Sequence, residues 1–118
     1  MRYLCLVYVD EYALGCLPRG AQLALDAECG QYRDQLERSG RLIIGESLQP
    51  ALSTSTLRVQ DDAVLLRDGP VAAGREQPAA IYLFEAIDLN DAIQLASRFP
   101  PVRLGCAEVW PLRSRDPP

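Results

Sequence analysis

Histidine and lysine are both missing from the chain, and two large classes of chemistry go with them. Without imidazole there is no Ser-His-Asp or Cys-His nucleophile and no side chain that titrates unperturbed near neutrality. Without an ammonium group there is no Schiff-base catalysis and no phosphate loop that ends in Gly-Lys-Ser/Thr. Positive charge in general is sparse: the 12 cations are all arginine, against 16 acids, for a net charge of −4. Nucleic-acid binding needs clustered cations to neutralise phosphates, so it is not expected.

Long apolar runs are also absent. The opening stretch, Met1 to Val9, is too short for a signal h-region and far too short to span a bilayer, so it is expected to be a buried strand and membrane association is not. The four cysteines, Cys5, Cys16, Cys29 and Cys106, form no Cys-x-x-Cys pair, and the carboxylates do not cluster. No metal and no cofactor is called for. Reduced thiols in a cytoplasmic setting are the simplest account. Cys5, Cys29 and Cys106 are expected to be small buried hydrophobes. Cys16 sits in an expected loop and is the one to test for reactivity, although no neighbouring His or Lys lowers its pKa.

What is present suits one ordinary globular domain of 118 residues, 48% apolar and 24% charged. The domain is expected over residues 1–113, with a frayed tail at 114–118. Residues 2–9 are apolar on both faces, as in a strand covered from both sides. After a loop through Gly15, Pro18 enters a helix whose stripe is Leu25, Cys29, Tyr32 and Leu36, and Gly40 stops it. Strands are expected at Leu42–Leu48, Thr54–Gln60 and Ala63–Arg67, the last two joined by the Asp61-Asp62 turn. Residues 68–78 hold Gly and Pro and read as a loop, followed by a strand at Ala80–Ile87. Asp88 caps a helix with the stripe Ala92, Ile93, Ala96 and Phe99, ended by Pro100-Pro101, and Cys106–Leu112 is the last strand.

This order is an α+β, ferredoxin-like pattern of two strand-helix-strand halves with an inserted hairpin. Two helices cover only one face of such a sheet, yet the first strand and Ala80–Ile87 are apolar on both. A second copy is the natural cover, so a homodimer with sheets packed face to face, a dimeric α+β barrel, is expected.

Two segments carry a family resemblance. One is Gly45-Glu46-Ser47-Leu48-Gln49-Pro50, running on to Thr56-Leu57-Arg58-Val59. The other is Asp68-Gly69-Pro70-Val71-Ala72-Ala73-Gly74-Arg75-Glu76-Gln77, followed by Tyr82. With the closing Glu108-Val109-Trp110-Pro111, the chain resembles the YCII-related proteins of the DGPF type. It departs from them at Val71, where Phe is usual, at Arg75, where Lys is typical, and at Ala79-Ala80, which replace a glycine pair. Ala73-Gly74 replace an acidic-Thr step, and Trp110 stands at a position that is commonly Arg. The resemblance implies a dimeric α+β barrel and a functional link to an extracytoplasmic-function sigma factor, beside whose genes such proteins are often encoded. Some relatives carry a His-Asp pair proposed to be catalytic, which this chain cannot have.

The candidate pocket is Glu46, Arg58, Asp68, Arg75, Glu76 and Tyr82. Asp68-Gly69-Pro70 suits a tight turn, or a turn that also shapes a pocket. Arg75 and Glu76 suit a solvated pair, or a fork that grips a carboxylate or phosphate. Glu46, in an apolar strand, is expected to face a pocket or pair with a cation such as Arg58, and burial there raises a carboxyl pKa. Glu85 poses the same choice, and Tyr8, Tyr32 and Tyr82 read as core aromatics with hydroxyls at the rim. The preferred reading is a non-catalytic small-ligand-binding or regulatory protein. The alternatives are a small enzyme using carboxylate, Arg and Tyr chemistry in the barrel pocket, and a purely structural dimer.

Overall fold

The computed structural model describes residues 1–114, so four residues of the tail expected to fray, 115–118, lie outside the described residues. Among the described residues are six strands and three α-helices: β1 (Arg2–Asp10), α1 (Glu11–Cys16), α2 (Arg19–Arg38), β2 (Leu42–Ser47), β3 (Ser55–Gln60), β4 (Ala63–Asp68), β5 (Glu76–Glu85), α3 (Leu89–Ser97) and β6 (Gly105–Pro111). Short 3-10 turns at Ala51–Ser53 and Pro100–Leu104 complete the path. No helix among them is long and apolar enough to cross a membrane.

Four strands form one sheet in the order β2-β5-β1-β6, every neighbouring pair antiparallel. β1 and β2, joined through α2, flank β5; β5 and β6, joined through α3, flank β1. Two β-α-β units therefore interleave in one α+β sheet. β3 and β4 form a separate two-stranded sheet. Its turn places Asp61 and Asp62 at φ of 50° and 62°, the left-handed pair that matches the twist of a tight hairpin.

One face of the larger sheet carries the core. Tyr3, Cys5, Val7 and Val9 from β1 and Ala80, Tyr82 and Phe84 from β5 meet Leu36 of α2, Ala92, Leu95 and Ala96 of α3, and Phe99. The Tyr82 ring stacks on Phe99 at 3.8 Å between centroids, and Tyr32 meets Phe99 edge-on at 4.9 Å. Burying each such ring stabilises the fold by about 1.5–3 kcal/mol. The Tyr32 hydroxyl donates to Leu95 O at 2.8 Å, so its polar end is satisfied inside the stack.

Several expectations need correction. Residues 11–16 are helical rather than a loop, because Asp10 Oδ1 accepts from Ala13 N at 3.1 Å and caps the turn. Pro18 stands at the N-cap of α2 rather than inside its first turn. β5 starts at Glu76, inside the stretch read as a loop, since Glu76 and Gln77 pair with Asp10 and Val9. Pro78 is tolerated there at an irregularity opposite Val7 and Tyr8, where a missing N–H does no harm. Ile93 of α3 is exposed and Leu95 takes its place in the core. Cys106 is exposed, because β6 turns that residue to the uncovered side of the sheet. Asp88 does cap α3, accepting from Asp91 N, and the Asp91 carboxylate in turn accepts from Ile87 N and Arg41.

Candidate functional site

The helix-free face of the four-stranded sheet is ordered in rows by strand register. The first row across β2-β5-β1-β6 is Ile44, Leu83, Leu4 and Trp110, and the second is Glu46, Ile81, Leu6 and Glu108. Ile44 and Trp110 at the flanks are 49% and 52% exposed, and Leu4, Leu6, Ile81 and Leu83 between them are half-buried. This face is thus an apolar strip with a carboxylate at each margin.

Beyond that strip Tyr8 lies opposite Cys106 on one side and Pro78 on the other. The Tyr8 hydroxyl donates to Glu108 Oε1 at 2.6 Å. Accepting that hydrogen bond, Glu108 favours the protonated phenol and pushes the Tyr8 pKa up, and partial desolvation adds to the effect. The Cys106 thiol, exposed overall, is pushed up first by the partial desolvation its neighbours impose and then by the Glu76 carboxylate beside it. Gly105 makes this closeness feasible, because a Cβ there would sit 2.1 Å from Tyr8 O and 2.9 Å from Glu76 Oε2. At the sheet end, Arg75 Nε lies 3.3 Å from Asp10 Oδ2, and its guanidinium covers the Tyr12 ring at 5.5 Å.

A cleft of about 560 Å³ opens where the β3-β4 hairpin leaves the sheet. Leu48 and Pro78 from the sheet side, Leu57 and Thr56 from β3, and Pro70 and Val71 from the following loop line it, with Gln77 at its base. The loop is pinned from three directions. Gly69 N donates to Thr54 O at 2.7 Å, and Thr56 Oγ1 donates to Gly69 O at 2.7 Å. Gln77 Nε2 donates to both Ala72 O (3.1 Å) and Gly74 O (3.0 Å). Gly69 holds φ of +100°, which a side chain would disfavour. Asp68-Gly69-Pro70 is therefore a locked turn whose exit, Pro70-Val71, forms a cleft wall.

The six sequence candidates scatter in the single chain. Tyr82 is buried under the helices, its hydroxyl 3.3 Å from Cys29 Sγ, and burial together with that contact raises its pKa. Glu46 and Glu76 lie on the opposite, helix-free face, both exposed. Arg58 is exposed on the hairpin opposite Leu65, and among the described residues it forms no ion pair with Glu46. Glu46 is thus not buried in its strand, because β2 is an edge strand and no helix covers that face. Asp68 is exposed opposite Ser55, and Arg75 pairs with Asp10. Glu85 is at the surface, 3.3 Å from the N-terminal ammonium and 3.5 Å from Arg2.

Sequence reasoning passed over Glu108, Thr56 and Gln77. Thr56 and Gln77 are the buried polar residues among those described, at 9% and 7% exposure. A glutamine directly before a proline, at the end of a glycine-bearing loop, was the available signal for Gln77. Glu108 carried none, because only the β1-β6 register sets it beside Tyr8. Among the described residues no group of His, Cys, Asp and Glu is arranged to hold a metal ion.

No curated protein matches the chain. The sequence model of the YCII-related domain matches residues 1–114, which covers both interleaved units, the hairpin and the locked turn. The chain belongs to the YCII-related family.

Proposed function

We propose that this is a non-catalytic small-ligand-binding or regulatory protein that works as a homodimer, with two ferredoxin-like sheets packed face to face as an α+β barrel. The carrying observation is the strip Ile44, Leu83, Leu4 and Trp110, apolar and incompletely covered on the one sheet face that has no helices. A flat apolar face of this kind is self-complementary under a twofold axis. Packing two such faces encloses the Tyr8-Glu108 pair and Glu46. In this reading the protein acts in the cytoplasm, with a functional link to an extracytoplasmic-function sigma factor.

The non-catalytic reading is supported by the missing histidine and lysine, which remove imidazole and Schiff-base chemistry.

Light scattering on wild type and on the double variant Ile44→Glu, Trp110→Glu tests the assembly. A wild-type dimer and a folded monomeric variant are expected, since both side chains are about half exposed in the single chain. A wild-type monomer at micromolar concentration defeats the proposal.

A further inference from the structure

The β3-β4 hairpin turns its apolar side away from its own chain. Residues directly opposite in an antiparallel pair share a face, so the register Leu57↔Leu66 and Val59↔Val64 gathers four apolar side chains on one side. Thr56, Arg58 and Arg67 lie on the other. The chain's own loop meets that polar side: Thr56 Oγ1 donates to Gly69 O at 2.7 Å, and the Arg67 guanidinium donates to Pro70 O at 2.8 Å and Val71 O at 3.2 Å. Leu57, Val59, Val64 and Leu66 stay 60–72% exposed. Burial stabilises apolar surface, so a hairpin that served only its own chain would be turned the other way.

The hairpin also stands apart. It pairs with no third strand among the described residues, and a two-stranded sheet without a packed apolar face is marginally stable in water at best. The radius of gyration is 16.3 Å, against about 13.5 Å for a compact chain of this length. The apolar side therefore needs cover from outside the chain, and area argues for a second copy. A standard interface takes about 800 Å² from each partner, on the order of 500 Å² of it apolar. The strip on the helix-free face, with Ile44 and Trp110 about half exposed and its other four residues half-buried, offers on the order of 250 Å² of apolar side chain. The four hairpin side chains offer about the same again. Strip and hairpin together reach what a stable dimer needs, and the strip alone does not.

We infer that the β3-β4 hairpin is an arm whose face of Leu57, Val59, Val64 and Leu66 packs onto a second copy of this chain, one arm from each copy under the twofold axis. This rests on the dimer reading above and adds the element that completes its interface. Arg58 stays on the outer side of each arm.

The test is a mixed dimer in which one copy carries isotope-labelled leucine, isoleucine and valine methyls and the other is unlabelled, read by isotope-filtered NOE spectroscopy. The methyls of Leu57, Val59, Val64 and Leu66 are expected to show NOEs to protons of the unlabelled copy. The double variant Leu57→Lys, Leu66→Glu sets opposite charges across the hairpin, which keeps the strands paired while removing half of the apolar face. It is expected to keep a folded amide spectrum and to raise the dimer dissociation constant at least about a hundredfold by sedimentation equilibrium. A dimer with intermolecular NOEs at Leu4 and Leu83 and none at the hairpin overturns the inference and leaves the face-to-face dimer in place. A folded variant that dimerises as tightly as wild type overturns it too. Hairpin NOEs with silent Leu4 and Leu83 uphold the arm and defeat the face-to-face packing. A wild-type monomer sinks both. Should the variant not fold, the NOEs of the wild-type dimer decide alone.

Discussion

Replacing Gln77 by leucine removes the clamp on the loop that walls the cleft. The side chain is 7% exposed and donates two hydrogen bonds, to Ala72 O and Gly74 O. Each such bond contributes about 0.5–1.5 kcal/mol net, which sets a loss of about 1–3 kcal/mol. Ala72 and Gly74 are exposed, so water can take over their carbonyls and the full cost of stranded acceptors is avoided. Leucine also buries well at this site. The expected destabilisation is therefore about 1–2 kcal/mol by urea unfolding, or a melting point lower by roughly 3–8 °C. A local effect should accompany the global one. The Gly69 amide, bonded to Thr54 O at 2.7 Å, sits in the same turn and should lose hydrogen-exchange protection as the loop loosens. Amides of β1 should change only by the global amount. Gln77→Glu keeps an acceptor and loses the donors, so it should behave like leucine or worse. A change below about 0.5 kcal/mol with unaltered Gly69 exchange would show that the turn is held without Gln77 and refute the reasoning.

Two further outcomes follow from particular contacts. Gly105→Ala places a methyl 2.1 Å from Tyr8 O, a backbone atom that moves only if the β1-β6 pairing shifts; unfolding should become easier by about 2 kcal/mol or more, and a denaturation midpoint equal to wild type would contradict this. Asp91 is held below the ordinary carboxyl range, first by accepting from Ile87 N and also by Arg41. A lowered folded pKa means its contribution is fully present above the unfolded value of about 4 and is lost as pH falls through the folded value. Asp91→Asn should therefore flatten the acid limb of stability against pH, measured by thermal unfolding; an identical acid limb in both proteins would exclude that role.

The site was less legible in the sequence than the fold, for a reason visible in individual residues. Glu46 in Leu42-Ile43-Ile44-Gly45-Glu46 looks buried because its neighbours are apolar. In the sheet it occupies an edge strand on the helix-free face, and local hydrophobicity cannot distinguish the two faces. Tyr82 and Glu76 lie in one strand with opposite parity about its irregularity, so one is in the core and the other is outside. Six plausible chemical residues were thus dispersed by alternation and by a register shift that no composition reveals. The locked Asp68-Gly69-Pro70 turn was legible as a turn, because Gly and Pro act through local backbone geometry. Its partners Thr56 and Gln77 were not, since their bonds depend on how hairpin and sheet approach one another.

The sequence by itself determined what depends on residue type and short-range periodicity. It excluded imidazole and ammonium chemistry, set the α+β element order, marked both faces of β1 and β5 as apolar, and carried the YCII-related motifs from Gly45 to Trp110. Tertiary structure decided what depends on long-range register. It placed Tyr8 beside Glu108, exposed Cys106, and brought Thr56, Pro70 and Gln77 around one uncharged cleft. Local interactions choose helix, strand and turn within a few residues of themselves. Which strands become neighbours, and which side chains come to share a cleft, is settled only when distant segments meet.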